Sequence, residues 1–216
     1  LTTFVVVFCV AVVAMIISKK QQIQPKIVDI QLIEVDGSLK NGAMDSLIAP
    51  YKAEKEVSMN VVIGEVEETM EVGLPESKLS NLIADVLLTE GRKYIADVDI
   101  AVTNIGGIRR TLFAGPLTIG DVFEILPFDN SLLVLEYKGV EILALADAVA
   151  LKGGEAIAGM TLTIRDGKAV NVRVGGKEVD TARVYKVVST DYLSWGNDQL
   201  EPLANYIKST PLKMMM

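Results

Sequence analysis

The chain contains no histidine and only one cysteine in 216 residues. Without imidazole there is no Ser/His/Asp triad, no histidine general base and no histidine metal ligand. The lone thiol, Cys9, lies in an apolar leading segment, so the folded part has neither an internal disulfide nor a thiolate metal site. Hydrolytic chemistry within the chain would have to rest on carboxylates, lysines or hydroxyls. Basic charge is scarce as well: 21 Lys and Arg face 28 Asp and Glu, giving a net charge of −7 and a pI near 4.8. That balance works against binding to nucleic-acid phosphate or an anionic membrane surface by charge alone. Glycine spacings that fit a dinucleotide fingerprint or a P-loop are also missing, and there is no internal repeat or low-complexity segment.

What is present begins with an unbroken apolar run, FVVVFCVAVVAMII at residues 4–17, followed by Lys19-Lys20. As a helix it would cover roughly 21 Å, short of a hydrocarbon core of about 30 Å, so a secretory signal is the first expectation. No basic segment precedes the run, and the two lysines after it argue for the opposite orientation of an anchor. The alternatives are a retained membrane anchor, a lipid-modified Cys9 next to a bulky Phe8, and an ordinary buried element. The expected organisation is a signal peptide or anchor at 1–20, a lead-in strand and helix at 21–59, and a single domain at 60–216, long enough to bury its own core.

Beyond residue 20 two hydrophobic periods alternate. Residues 27–35 are rich in β-branched side chains and read as a strand ending at Asp36-Gly37. Residues 44–56 read as a helix interrupted by Pro50, and 59–66 as a strand. Leu79, Leu82, Ile83, Val86 and Leu87 recur at helical spacing within 76–95, behind Pro75. A strand at 98–103 is followed by a glycine turn. Thr118 is an N-cap candidate with Asp121 three residues on. A strand at 131–137 and a helix at 140–151 come next. The last third reads as strands at 157–165, 169–174 and 183–189, separated by Asp166-Gly167 and Gly175-Gly176. Helices early and hairpins late predict an α+β fold, a layered α/β sandwich with mixed sheets, rather than a doubly wound parallel sheet. The closing Lys213-Met214-Met215-Met216 is assigned to no element.

Three stretches have the residue types of a binding site. In Asn104-Ile105-Gly106-Gly107-Ile108-Arg109-Arg110 a glycine pair lets the backbone approach a ligand, flanked by an amide and by a fixed fork of donors. Leu126-Pro127-Phe128-Asp129-Asn130 sets an aromatic at a proline corner. Residues 191–198 mix Tyr192 and Trp195 with turn formers. Taken singly each has a structural explanation: a tight corner, a core phenylalanine, a loop whose aromatics close the core.

Taken together and in order, with Glu76-Ser77-Lys78-Leu79-Ser80-Asn81-Leu82-Ile83-Ala84-Asp85 ahead of them, these stretches resemble the C-terminal domain of the 5′-nucleotidase and UDP-sugar hydrolase family, from about residue 60 to about residue 204. The resemblance implies a nucleoside-recognition domain that holds a base between two aromatic rings, here Phe128 and Tyr192. It implies that Asn104 faces the polar edge of the base, that Gly106 and Gly107 allow close approach, and that Arg109 meets the ribose-phosphate side. Asp198 falls where the family has an aspartate bonded to ribose hydroxyls, and Asn130 and the backbone at Gly159 match further lining positions.

The departures are equally specific. Val72-Gly73-Leu74-Pro75 stands where the family has an arginine that helps to bind phosphate. Ile105 replaces the first glycine of the turn, Gly196-Asn197-Asp198-Gln199 replaces a glycine-richer loop, and Tyr192 replaces a phenylalanine. Full-length members hydrolyse phosphate esters at a two-metal site on a separate N-terminal domain built partly from histidines, and residues 21–59 are too few to hold one. The expectation is therefore a chain with no catalytic residues and no metal or cofactor of its own. It would recognise a nucleoside or nucleotide in the periplasm or cell envelope, for a separately encoded metallophosphoesterase chain that carries divalent metal ions. Its rivals are a stand-alone envelope nucleotide-binding protein and an inert remnant. A further idea, an independent hydrolase using Asp85, Asp121 and Asp198, competes with the simpler reading of Asp85 as a solvated face and Asp121 as a helix-start charge.

Overall fold

The structure is a computed structural model that describes residues 41–216. The apolar run at 4–17 and the expected strand at 27–35 lie outside the described residues. The compact unit Ile48–Met216 carries every strand named below. In chain order the first elements are α1 (Gly42–Met59), β1 (Val62–Val66), α2 (Lys78–Tyr94), β2 (Ile100–Thr103), β3 (Gly115–Thr118), α3 (Ile119–Ile125), β4 (Ser131–Lys138) and α4 (Gly139–Leu151). They are followed by β5 (Ala156–Ala158), β6 (Met160–Arg165), β7 (Lys168–Val174), β8 (Lys177–Glu178), β9 (Val184–Thr190), the short helix α5 (Asp191–Ser194) and β10 (Lys208–Met215).

A five-stranded sheet in the order β10-β4-β9-β2-β5 forms the middle layer. Its inner strands are apolar on both faces, which suits a sheet covered on both sides. Ile100, Val102, Leu135, Tyr137 and Val187 face one way, and Ala101, Leu132, Val134 and Val188 the other, as the two-residue period of a strand requires. Helix α2 covers the second of these faces with Leu79, Ile83, Ala84 and Leu87. Helix α4 covers the first with Ile142, Leu145, Ala146 and Val149. The β6-β7-β8 sheet adds Met160 and Val174 to the same core as α4, and the N–H of Ala169 donates to Asp147 Oδ1 at 3.0 Å. Covered by strands on two sides, α4 is apolar around most of its circumference, as its sequence GVEILALADAVAL shows. Only β2 and β9 run parallel in the middle sheet; its other pairings are antiparallel. The result is the layered α+β fold with mixed sheets expected from the sequence.

Helix starts follow the local chemistry. Ser77 caps α2 in a reciprocal pair with Ser80, and Thr118 caps α3 in a reciprocal pair with Asp121. The Thr118 hydroxyl, 2.6 Å from Asp121 Oδ2, and then the Thr118 N–H hold the Asp121 carboxyl below its ordinary pKa, outweighing the effect of burial, with Arg110 assisting.

Four sequence readings need revision. Helix α1 continues through Pro50, because a proline removes one backbone bond while its neighbours retain theirs. The helix also reaches Met59, so β1 starts three residues later than expected, at Val62. The strand read at 157–165 is two strands in different sheets, parted at Gly159. That glycine has φ +76°, and a Cβ there would lie 2.1 Å from the Asp99 carbonyl oxygen, so only glycine lets the chain cross β2 and change sheets. Finally, β3 and β10 were not foreseen: β3 pairs with β1, and β10 absorbs the methionine tail as the edge strand beside β4.

Candidate nucleoside site

Strand direction brings three separate loops to one edge of the middle sheet. Strands β2 and β9 are parallel, with Ala101 opposite Val188, so they end on the same side. Strand β4 is antiparallel to β9, with Leu132 opposite Thr190, so it begins there. The glycine turn after β2, the proline corner before β4 and the aromatic loop after β9 are therefore neighbours. Outside the carboxyl ends of parallel strands is where open α/β sheets place their ligands.

The glycine turn is a single 3-10 turn, Ile105–Gly107, introduced by Asn104. A Cβ on Gly107 would come within 3.0 Å of Asn104 Oδ1, and one on Gly106 within 3.6 Å of Asn104 Nδ2 and 3.8 Å of Asp198 Oδ2. Gly107 thus clears space for the Asn104 amide, whereas a Cβ at Gly106 would meet Asn104 and Asp198 at ordinary contact distance. Neither has a positive φ, and Ile105 sits in the 3-10 turn with its side chain against the core, so isoleucine in place of the family's glycine is accommodated. Arg109 is exposed; its N–H donates to the Ile125 carbonyl at 2.8 Å and its guanidinium to the Gly106 carbonyl at 3.1 Å. Among the described residues it makes no ion pair.

The aromatics are not core residues. Phe128 is 48% exposed, Tyr192 42% and Trp195 75%. Asn104, Gly107, Phe128 and Asn130 line a small cavity of about 10 Å³ together with Met216. Met216 is fixed there by its N–H, which donates to the Asn130 carbonyl at 2.9 Å, and its sulfur lies 3.8 Å from the Thr103 hydroxyl. Tyr192 is tied to the late loop by Asn197, whose side-chain amide donates to the Tyr192 carbonyl at 2.8 Å. Gly159 lies elsewhere. Strand β5 pairs Ala158 with Ala101, so Gly159 adjoins the start of β2, not its end, and it lines a different cavity of about 570 Å³ with Glu76, Asn81 and Asp85.

Sequence reasoning missed the residues beneath these loops. Glu155, only 3% exposed, accepts the Ile105 N–H at 2.7 Å through Oε2 and pairs with the Lys152 ammonium through Oε1. Lys152 also donates to the Asp198 carbonyl at 2.7 Å and lies 3.3 Å from Asp198 Oδ2. Burial opposes the charge on Lys152, but the Glu155 and Asp198 carboxylates outweigh it and raise its pKa. The signal in the sequence was slight: two opposite charges flanking Gly153-Gly154 after an apolar helix. Met216 gave no signal, because the strand it follows, β10, is defined only by pairing with β4.

The donor set does not fit a dimetal centre. Among the described residues no three His, Cys, Asp or Glu are grouped to hold a metal ion. The three aspartates considered for independent catalysis lie in different places: Asp85 on the 570 Å³ cavity, Asp121 in the cap of α3 and Asp198 beside Lys152.

Residues 62–205 match the family described as 5′-nucleotidase, C-terminal domain. The chain belongs to that family. It is 28% identical over 194 residues to the 5′-nucleotidase of Vibrio vulnificus, covering 81% of this chain and 34% of that protein. It is 25% identical over 171 residues to the protein UshA of Escherichia coli K12, covering 77% and 31% respectively. Among solved structures, a 5′-nucleotidase precursor from Thermus thermophilus superposes with a TM-score of 0.68 at 29% identity, over 80% of this chain and 38% of that one. This family member therefore spans about a third of the curated relatives it matches. No helix among its described residues is long and apolar enough to cross a membrane.

Proposed function

We propose that this 5′-nucleotidase C-terminal domain binds the nucleoside part of a nucleotide and presents the phosphate ester to a metallophosphoesterase unit on a separately encoded chain. The observation that carries the reading is the convergence of three loops, distant in sequence, on one sheet edge, with a half-exposed ring on two of them, the Asn104 amide on the third and the Asp198 carboxylate near Gly106. A base stacks between Phe128 and Tyr192, an interaction worth about 1–3 kcal/mol per base and tolerant of base identity. The Asn104 amide meets the polar edge of the base, and Gly106 and Gly107 allow the approach. Asp198 accepts from ribose hydroxyls, and Arg109 faces the phosphate-bearing side with Asn130 lining the pocket. The 10 Å³ cavity is too small to enclose a purine, so the base lies outside it, between the two exposed rings.

The chemistry of hydrolysis belongs to divalent metal ions on the partner, which activate water and clamp the displaced oxygens. What this chain supplies is position: binding energy spent on base and ribose fixes the ester for attack. The apolar run at 4–17 supports an exported location in the periplasm or cell envelope. The test is to measure phosphate release from AMP by the chain alone, by the metallophosphoesterase alone and by the two together. Release that rises only in the mixture, and falls with Phe128→Ala, is expected; equal release with and without this chain would contradict the division of labour.

A further inference from the structure

The late loop holds two consecutive non-glycine residues in the left-handed region, Asp198 at φ +59° and Gln199 at φ +59°. L-residues rarely adopt that conformation unless their surroundings impose it, and such outliers point to function when a structural cause can be named. Here the cause is visible. The Lys152 ammonium, on the chain just after α4, binds the Asp198 backbone carbonyl at 2.7 Å and its carboxylate at 3.3 Å, so both the turn and the side chain of Asp198 are held by one cation. The same ammonium pairs with Glu155, and Glu155 in turn accepts the N–H of Ile105, the residue between Asn104 and the glycine pair. One ion pair, between a buried carboxylate and a partly buried ammonium, thus touches the loop that would read the ribose and the turn that would read the base.

We propose that Lys152 and Glu155 are positioning residues of the nucleoside site: Lys152 fixes the ribose-accepting carboxylate of Asp198, and Glu155 fixes the base-reading turn that starts at Asn104. The inference deepens the functional reading above and rests on it for the identity of the ligand. Charge and geometry explain why this pair is needed. Glu155 and Asp198 close to one another would repel, and the shared ammonium removes that repulsion while leaving Asp198 Oδ1 without a bond to Lys152 and available to a hydroxyl. The Glu155 carboxylate is almost fully buried, so its partners are fixed and its hold on the Ile105 N–H is rigid. A glycine would adopt the left-handed turn unaided; at Asp198 the Lys152 ammonium, bound to both its carbonyl and its carboxylate, supports it.

The experiment compares adenosine with adenine, which lacks the ribose, by calorimetric titration into the full chain and its Lys152→Met and Glu155→Gln variants. Amide hydrogen exchange is followed at residues 104–107 and 196–199 without ligand. Lys152→Met is expected to weaken adenosine about tenfold and leave adenine unchanged, so that the preference for the nucleoside over its base collapses, and Lys152→Arg is expected to restore part of it. Glu155→Gln is expected to weaken both ligands. Lys152→Met is expected to accelerate exchange at residues 196–199 and Glu155→Gln at residues 104–107, while the middle sheet stays protected. A general loss of fold would weaken both ligands equally and expose the sheet, and would overturn the assignment of Lys152 to the ribose side. An unchanged nucleoside preference with unchanged loop exchange would overturn the positioning role alone. If the unaltered chain binds neither ligand, the nucleoside reading and the ligand role of the pair both fall, and the exchange data then report only whether the pair couples the two loops.

Discussion

Phe128 and Tyr192 are aromatic rings left half exposed by a protein that buries Tyr137 and Tyr185 almost completely. The buried pair is satisfied internally: Tyr137 donates to the Leu203 carbonyl at 2.6 Å, and the Tyr185 hydroxyl accepts the Asp180 N–H at 2.8 Å. The exposed pair has no such task. Replacing Phe128 or Tyr192 by alanine should therefore cost about 1–3 kcal/mol of nucleoside affinity, read by titration calorimetry, with little change in the thermal midpoint. Gly159 is the opposite kind of residue, one whose importance is in the backbone. Gly159→Ala would combine a left-handed φ with a Cβ 2.1 Å from the Asp99 carbonyl oxygen, and should destabilise by about 3 kcal/mol, seen in urea unfolding. At this scale the sequence singled out loop residues by type and order, as at Asn104, Phe128 and Asp198, and the fold brings their loops to one sheet edge. It gave only a slight signal for Lys152 and Glu155 and none for Met216, whose roles come from partners roughly fifty to more than a hundred residues away in the chain.

At the scale of elements, local signals located the helices well. Pro75 and the leucine spacing bracketed α2, and the Thr118-Asp121 pair opened α3 as its spacing predicts. Thr118→Ala should lose about 1 kcal/mol, measured by chemical unfolding at neutral pH. Because the folded Asp121 carboxyl lies below its ordinary value, its contribution is present above about pH 4 and disappears as pH falls through the lower folded value. The stability difference between native and Thr118→Ala chains should accordingly narrow only in strong acid. Lys152 has the opposite sign. Its raised pKa means that its ion pairs are intact below about pH 10.4 and fail only as pH rises through the higher folded value. Ligand affinity should therefore be flat from about pH 5 to about pH 9 as far as Lys152 is concerned. Helix α4, packed between the middle sheet and the β6-β7 hairpin, should be the least tolerant element: Leu145→Ala is expected to cost about 2–5 kcal/mol in urea unfolding. What local signals could not supply was pairing. Residues 156–164 carry no proline, asparagine or charged residue to mark a break at Gly159, so β5 and β6 read as one strand, and β10 became visible only beside β4.

At the scale of the whole molecule, the central question is whether the edge where β2 and β9 end and β4 begins is a nucleoside site. The parallel pairing of β2 and β9 is the topological fact that puts the glycine turn, the proline corner and the aromatic loop together, and no local sequence pattern encodes it. Four short stretches in the right order resembled one family strongly enough to name that family, and the match over residues 62–205 agrees with it. The most direct measurement is calorimetric titration of adenosine into the 216-residue chain and into its Phe128→Ala, Tyr192→Ala double variant. Saturable binding by the native chain that is lost in the double variant, with the variant still folded by circular dichroism, is the predicted result. Absence of binding to the native chain, or binding that the double variant retains, would contradict it.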